Sequence, residues 1–324
     1  MKRILVLDGG GIRGVAQLLL LQEMCRIGSC TLSDLFDYIG GVSVGGLLAC
    51  ALSLPNPNQP SLLQWSPDSL LQHFTNWAKM IFHRSWSYTI RSGNGWIRSK
   101  YTHESFMTLL EEEFGERTFE ETKIPICTFT YNLTDAKPCA YSSWANPTIR
   151  YKDSILAGTS APTYFPSYWN PYDEKQTCDA GIVSNNPAEW MITMLDQTNP
   201  NWISENETIY LVSIGTGYSN NIAPTTTRGQ GMWQWLNPLS NVLFQANEEL
   251  QLIELESFLP SKDRIVRWNF PLEKEVDLDN IHQIPIVEML IMDWIDQHKD
   301  EMYQVTMDLL NRKNDGEKRS IKIE

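Results

Sequence analysis

The chain has 324 residues, of which 42% are apolar, and it carries a formal net charge of −13. This length and composition allow a large buried core and are typical of a globular protein. The acidic charge argues against broad nucleic-acid binding, which requires a surplus of lysine and arginine. No uncharged apolar stretch reaches the roughly 18 residues that a membrane-spanning helix needs, so we expect none.

The N-terminus predicts a buried strand rather than a signal peptide. Lys2 and Arg3 precede the apolar residues 4–7, but Asp8 follows them directly. Six cysteines are scattered without a C-x-x-C pair or a His/Cys cluster: Cys25, Cys30, Cys50, Cys127, Cys139 and Cys178. This pattern predicts reduced thiols in a cytosolic protein and no zinc site. No acidic loop resembles an EF-hand, so we expect neither calcium nor another metal or cofactor.

Strands and helices alternate along the first part of the chain. A strand at 4–7 is followed by a helix at 15–27 and by a second apolar run that ends just before Ser43. Later strands are predicted at 124–131, 140–143 and 209–214, and later helices at 103–114, 153–158, 187–195, 237–258 and 284–311. This alternation predicts an α/β protein with a mostly parallel central sheet in a three-layer α/β/α arrangement. We expect a single domain over residues 1–315 and a charged tail over 316–324.

Glycine-rich turns follow both early strands. Residues 9–14 (GGGIRG) follow the first strand and open the first helix, so their N–H groups are accessible to an anion. That turn suits a dinucleotide pyrophosphate, the oxyanion of an ester reaction, or a purely structural role. Residues 41–45 (GVSVG) match the G-x-S-x-G turn that exposes a nucleophilic serine. Since neighbouring parallel strands end at one edge, the serine would lie beside the first turn, which favours the oxyanion interpretation.

A nucleophilic serine needs a base, and histidine is the usual one. The five histidines lie outside the glycine-rich or loop context of a catalytic histidine, and we interpret them as surface or packing residues: His73, His83, His103, His282 and His298. Serine hydrolases with the chain order Ser-Asp-His also normally have several strands before the serine. Here only one strand precedes the strand that leads into Ser43. Asp179 is the better candidate because it lies in a turn of small residues that leads into a helix near Pro187. Its alternative role is a turn former or helix cap.

Together these segments resemble the patatin-like phospholipase family, which is related to calcium-independent and cytosolic phospholipases A2. The matching segments occur in family order: residues 8–14 (DGGGIRG), 41–45 (GVSVG), 159–166 (TSAPTYFP), 179–181 (DAG) and 213–217 (SIGTG). The resemblance implies a patatin-like sandwich with Ser43 as the nucleophile and Asp179 as the base. It also implies an oxyanion site within Gly9, Gly10, Gly11, Ile12, Arg13 and Gly14, in which Gly10 and Gly11 supply N–H groups.

Two pairs of small residues flank the implied dyad. Gly41 and Gly45 form the turn around the nucleophile, and Ala180 and Gly181 follow the aspartate. The family usually has glycine where Ala180 stands, and the extra methyl group could narrow the dihedral angles that the loop allows.

The function that the resemblance implies is hydrolysis of lipid esters, of the phospholipase A or lysophospholipase type, through an acyl-enzyme. One alternative is a catalytically weak binding or regulatory module of the same fold. A dinucleotide-binding enzyme that uses residues 9–14 is a further, less favoured alternative. A serine-reactive phosphonate, bound nucleotide and lipid turnover distinguish the three.

A local reversal of charge suggests contact with a lipid surface. Residues 79–100 contain five basic side chains and no acidic one: Lys79, Arg84, Arg91, Arg98 and Lys100. Aromatic side chains are interleaved with them: Phe82, Trp86, Tyr88 and Trp96. Cationic and aromatic residues together suit an anionic membrane surface, although ordinary packing is the alternative. We expect a cytoplasmic protein that is peripheral on membranes when active, and a secreted effector is also compatible.

Overall fold

A computed structural model describes residues 1–83, 98–199, 208–219, 264–273 and 276–320 of the chain. Its strands are β1 (Lys2–Leu7), β2 (Tyr38–Val42), β3 (Ile126–Asn132), β4 (Lys137–Ser142), β5 (Tyr168–Asn170), β6 (Lys175–Asp179), β7 (Ile209–Ile214), β8 (Tyr218–Ser219), β9 (Arg264–Trp268) and β10 (Pro271–Leu272). Its helices are α1 (Gly14–Gly28), α2 (Leu32–Leu35), α3 (Val44–Ser53), α4 (Pro67–Ile81), α5 (Glu104–Glu113), α6 (Tyr151–Thr159), α7 (Ala188–Thr198), α8 (Ile284–Gln297) and α9 (Lys299–Ser320).

The main sheet is mostly parallel, as predicted. Its strand order is β5-β6-β3-β2-β1-β7-β9, and β4 also pairs with β3. The five strands from β3 to β9 in this order are parallel to one another. By contrast, β4, β5 and β6 are antiparallel additions at the β3 side. β8 and β10 form a separate two-stranded sheet.

Helices cover both faces of the sheet, which confirms the predicted three layers. Along β1, Leu5 and Leu7 belong to one hydrophobic core, and Ile4 and Val6 belong to the other. This alternation follows from the two-residue repeat of a strand. The larger core includes residues of α1, α3, α4 and α8, and the smaller one is closed by α7. A strand buried on both faces must be apolar throughout, which explains the uninterrupted run at 4–7.

One helix prediction is wrong, and another cannot be compared with the structure. The single helix predicted at 284–311 is wrong, because α8 ends at Gln297 and α9 starts at Lys299. Between them, His298 stacks on Trp294 with ring centroids 3.9 Å apart, and both helices pack against α1. No glycine or proline marks this break. The helix predicted at 237–258 lies outside the described residues.

Helix α4 was not predicted, although its start carries a recognisable signal. The hydroxyl of Ser66 accepts a hydrogen bond from the N–H of Ser69 at 3.1 Å, and Pro67 occupies the first helical position. A capping serine followed by proline is a typical helix start. The helix then buries Leu70, Phe74 and Trp77, with consequences for the site described below.

The sheet brings three turns to one edge. Leu7, the last residue of β1, is in register with Gly41 on β2 and with Ile214 on β7. The glycine turn at 9–14, the serine turn at 43 and the segment 215–217 therefore follow neighbouring strands at their carboxyl ends. Open α/β sheets bind ligands at this edge.

Neither a membrane-spanning helix nor a metal cluster occurs in the ranges given above. None of the helices there is both long and apolar enough to cross a bilayer. Those same residues contain no group of three or more His, Cys, Asp or Glu side chains placed to hold a metal ion.

Candidate active site

Ser43 occupies a sharp turn between β2 and α3. Its backbone has φ 54° and ψ −124°, which is strained for a residue with a side chain. A Cβ atom on Gly41 would lie 2.2 Å from the carbonyl oxygen of Gly45, and one on Gly45 would lie 2.3 Å from that of Leu7. Because both contacts are with backbone atoms, the turn requires glycine at both positions. It presents the hydroxyl of Ser43 at the N-terminus of α3, where the helix dipole favours negative charge.

Most N–H groups of the glycine turn already have acceptors in the protein. The N–H of Gly9 donates to the carbonyl of Asn185 at 3.2 Å, and that of Ile12 donates to Leu278 at 2.9 Å. The N–H groups of Arg13 and Gly14 bond back to carbonyls within the turn.

Gly10 and Gly11 differ from these neighbours. Both line the cleft that contains Ser43, and neither N–H has an acceptor within the described part of the chain. Gly11 has φ 57°, and a Cβ atom there would lie 2.0 Å from the carbonyl oxygen of Leu278. The turn therefore leaves two adjacent backbone donors without an internal acceptor among the described residues, at a cleft that both glycines line.

Asp179 ends β6 beside Ser43, and its side chain is buried. Its N–H donates to the carbonyl of Ser160 at 3.1 Å, and its Oδ1 accepts the N–H of Gly181 at 2.8 Å. Burial raises the pKa of Asp179 to about 6, while the nearby Ser43 hydroxyl and the hydrogen bond from the Gly181 N–H oppose that rise. A carboxylate with this pKa is a stronger base than an exposed aspartate.

Ala180 fits the aspartate loop without backbone strain. It starts a short 3₁₀ turn, and it is not among the residues with positive φ. Its methyl group is fully buried in the smaller core, which also contains Val42 and Met191. The alanine therefore packs where the family usually has glycine, and it leaves the Asp179 carboxylate facing Ser43.

An apolar cleft extends from these groups. It has about 810 Å³ of empty space, part of which is open to solvent. The wall comes mainly from α3, α4, α5 and the 161–165 segment, and its apolar members include Leu47, Phe74, Trp77, Ile81, Phe82, Phe106 and Phe165. Ser43, Asp179, Gly10 and Gly11 line the same cleft. This arrangement suits an extended hydrocarbon chain attached to a polar, reactive group.

Among the described residues, no histidine hydrogen-bonds to Ser43 or Asp179. His103 lies close to the site, with its Nε2 3.0 Å from the hydroxyl of Ser160 and its ring stacked on Phe165. Burial lowers the pKa of His103 to about 4, so the ring is neutral at physiological pH. It acts as a packing residue behind the cleft wall.

Arg13 lies at the cleft with a half-buried side chain. Its Nε donates to the carbonyl of Gly10 at 3.3 Å. Burial lowers the pKa of Arg13 to about 10, so the guanidinium remains charged at neutral pH. The sequence placed this residue within the turn, and the structure shows that it contacts the turn's own backbone.

Several residues that support the site were not predicted. Arg267 on β9 binds the carboxylate of Asp8 through two hydrogen bonds of 3.0 and 2.6 Å. Burial raises the pKa of Asp8, and pairing with Arg267 opposes that rise. Thr216 and Asn185 contact the carbonyl of Gly9. The 213–217 segment was recognised from the family pattern, but nothing in one sequence shows that Arg267 would meet Asp8.

The basic and aromatic segment at 79–100 is only partly described, since residues 84–97 lie outside the described ranges. Lys79 is exposed, and Phe82 lines the cleft. Lys100 forms an ion pair with the buried carboxylate of Asp279, which also accepts the hydroxyl of Tyr101 at 2.6 Å. Lys100 therefore has a structural partner inside the protein.

The fold and the site define an α/β protein with a serine turn facing a glycine-rich turn. The family model for patatin-like phospholipases matches residues 5–192 of this chain. The chain therefore belongs to the patatin-like phospholipase family, which supports hydrolysis of lipid esters as its class of reaction.

Relatives from plants and bacteria match most of the chain. Patatin-like protein 4 of Arabidopsis thaliana is 27% identical, covering 97% of this chain and 82% of the plant protein. A cGAMP-activated phospholipase of Vibrio cholerae is also 27% identical, covering 86% of this chain and 85% of the bacterial protein. A probable inactive patatin of Solanum tuberosum, patatin-3-Kuras 1, is 26% identical, covering 74% of this chain and 70% of the potato protein.

Proposed function

We propose that this protein hydrolyses the acyl ester bonds of phospholipids or related lipids, with Ser43 as the nucleophile and Asp179 as the base. The observation that carries the proposal is that Ser43, in its strained turn, and the buried Asp179 line the same apolar cleft, where burial raises the pKa of the carboxyl to about 6. Ser43 then gives its hydroxyl proton directly to a base of useful strength.

The reaction proceeds in two balanced steps. Asp179 accepts the hydroxyl proton as Ser43 Oγ attacks the ester carbonyl, and the N–H groups of Gly10 and Gly11 donate to the resulting oxyanion. Protonated Asp179 then gives its proton to the departing alkoxide, which leaves an acyl group on Ser43. A water molecule loses a proton to Asp179, attacks the acyl carbonyl, and releases the fatty acid with the proton returned to Ser43.

The apolar cleft favours a lipid over a dinucleotide. Phe74, Trp77 and Phe106 line it beside the serine, and these side chains offer hydrocarbon contacts rather than partners for a pyrophosphate. The phospholipase named among the relatives supports the same substrate class. We further propose that the 79–100 segment contacts the lipid surface that supplies the substrate.

Purified wild-type protein should release free fatty acid from phospholipid vesicles, with the lysolipid as the second product. Ser43→Ala should release none above background, because it lacks the attacking oxygen. Mass spectrometry of the products identifies the cleaved bond, and galactolipid and neutral-lipid vesicles define the preferred head group. If the wild-type protein binds the vesicles but cleaves no ester in any of them, the protein is a binding module and the proposal is wrong.

The rate of hydrolysis should depend on the ionisation of Asp179. Because the carboxylate is the active form and its pKa is raised to about 6, kcat/KM should fall as pH decreases through about 6. An exposed aspartate would instead produce this fall near pH 4. The measurement is kcat/KM on a soluble short-chain ester between pH 4 and 9. An activity that is constant from pH 7 down to pH 5 would rule out a base with this pKa.

A further inference from the structure

The orientation of the Gly10 N–H depends on what holds the carbonyl of Gly9. These two groups belong to one peptide unit, and in a planar trans peptide they point in opposite directions. A partner that fixes the Gly9 oxygen behind the turn therefore fixes the direction of the Gly10 hydrogen at the front. One end of this peptide unit lies at the cleft, and the other lies in the protein interior at the edge of the sheet.

Thr216 supplies that partner. Its Oγ1 donates to the carbonyl of Gly9 at 2.7 Å, whereas the side-chain amide of Asn185 reaches the same oxygen only at 3.4 Å. Thr216 also packs directly against Gly10, since a Cβ atom on that glycine would lie 2.2 Å from Thr216 Oγ1. The threonine is only 2% exposed, so water does not compete for the hydrogen bond.

The segment that carries Thr216 is fixed on both sides of it. The N–H of Gly215 donates to the carbonyl of Trp268, and that of Gly217 donates to Oδ1 of Asn269, each at 2.8 Å. Ile214, just before them, accepts the N–H of Asp8 at 3.1 Å. The hydroxyl of Thr216 is therefore held in place relative to the glycine turn by β1, β7 and the segment after β9.

We propose that Thr216 is a positioning residue for the reaction: it holds the Gly9 carbonyl so that the Gly10 N–H points at the developing oxyanion. Its hydrogen bond also polarises the peptide unit, which strengthens the Gly10 N–H as a donor. This role gives the 213–217 segment a function that its sequence alone did not indicate. The inference rests on the proposed hydrolase function, in which Gly10 is an oxyanion donor.

Thr216→Val tests this role because valine keeps the shape of threonine and removes only the hydroxyl. Complete removal of an oxyanion donor costs about 100- to 1,000-fold in kcat, and a misdirected donor should cost less, about 10- to 100-fold. We expect KM to change little, because the donor acts mainly in the transition state. The acid limb of the pH profile should stay near pH 6, since Asp179 is not altered. Thr216→Ser, which keeps the hydroxyl, should restore most of the lost rate.

A matched control separates positioning from general stability. Thr122 also donates its hydroxyl to a backbone carbonyl, that of Ile124 at 2.8 Å, but it lies away from the cleft. Thr122→Val should lower the free energy of unfolding by about 1 kcal/mol, as Thr216→Val should, because each loses one hydrogen bond to a backbone carbonyl. Unlike Thr216→Val, it should keep the wild-type kcat.

Two results would overturn the inference, and they are distinguishable from failure of the proposed function. If wild-type protein hydrolyses lipid and Thr216→Val keeps the wild-type kcat, Thr216 does not position the donor, although the hydrolase proposal stands. If Thr216→Ser is as slow as Thr216→Val, the hydroxyl is not the active group. A wild-type protein that cleaves no ester overturns both proposals together.

Discussion

Replacing Asp179 with asparagine should make the protein more stable and nearly inactive. Loss of a general base of this kind lowers turnover by about 1,000- to 10,000-fold. The stability gain follows from burial, because the folded protein raises the pKa of this carboxyl from 3.8 to about 6. Ionising it at neutral pH therefore costs folding free energy, and two pKa units correspond to about 3 kcal/mol. Asparagine keeps the acceptor for the Gly181 N–H and removes the charge.

The pH dependence of stability determines whether Asp179→Asn is more or less stable than the wild type. Below pH 4 the carboxyl is protonated in both the folded and the unfolded protein, so wild type and Asp179→Asn should have similar unfolding free energies. As pH rises through 6, the wild type loses the advantage of its protonated form, and the variant should become more stable by up to about 3 kcal/mol. Denaturant unfolding at pH 4, 6 and 8 measures the difference. A variant that is less stable than the wild type at pH 8 would contradict a raised pKa for the buried carboxyl.

Asp153 offers a matched control for this substitution. It is also a buried carboxylate, but it accepts hydrogen bonds from Arg150 at 2.6 Å and from the hydroxyl of Tyr168 at 2.7 Å. Asp153→Asn breaks an ion pair rather than relieving an isolated charge, so we expect it to lower stability at pH 8. Its turnover should remain within a few-fold of wild type. Opposite signs of the stability change at the two aspartates would assign the effect to the local environment of Asp179.

Ser43→Gly should abolish turnover and yet give a more stable protein than Ser43→Ala. Both variants lack the nucleophile, but only glycine adopts φ 54° and ψ −124° without strain. Such strain costs on the order of 1–3 kcal/mol, part of which is offset because glycine is more flexible when unfolded. We expect a net difference of about 1 kcal/mol in favour of glycine. Thermal or denaturant unfolding of the two inactive variants measures it.

A serine in an ordinary helix should show the reverse order. Ser105 lies in the first turn of α5, where glycine is less favourable than alanine by up to about 1 kcal/mol. Ser105→Gly should therefore be less stable than Ser105→Ala. If Ser43 shows the same order as Ser105, the turn at the nucleophile is not strained.

The parts of the site that follow from local chemistry could be predicted from the sequence. The glycines around Ser43 and at residues 9–14 permit turns that few other residues allow, so the amino-acid pattern alone indicates where those turns lie. The family pattern and the small residues after Asp179 predict this residue as the base. The sheet edge that unites these segments followed from the rule that parallel strands end together.

The parts that depend on long-range packing could not be predicted. Arg267 meets Asp8, which lies 259 positions earlier in the chain. The cleft wall from α4 depends on how that helix packs against α1 and α5. The break at His298 has no local signal, since it is stabilised by stacking on Trp294 and by the packing of α8 and α9 on α1.

The residue that becomes covalently modified by a serine-reactive reagent identifies the nucleophile directly. Wild-type protein treated with a serine-reactive fluorophosphonate at pH 8, digested and mapped by mass spectrometry should carry one adduct, on Ser43. Asp179→Asn should be modified far more slowly, and Ser43→Gly should not be modified there. A wild-type protein that hydrolyses lipid while its adduct lies on another residue, or while Ser43 stays unmodified, would show that Ser43 is not the nucleophile.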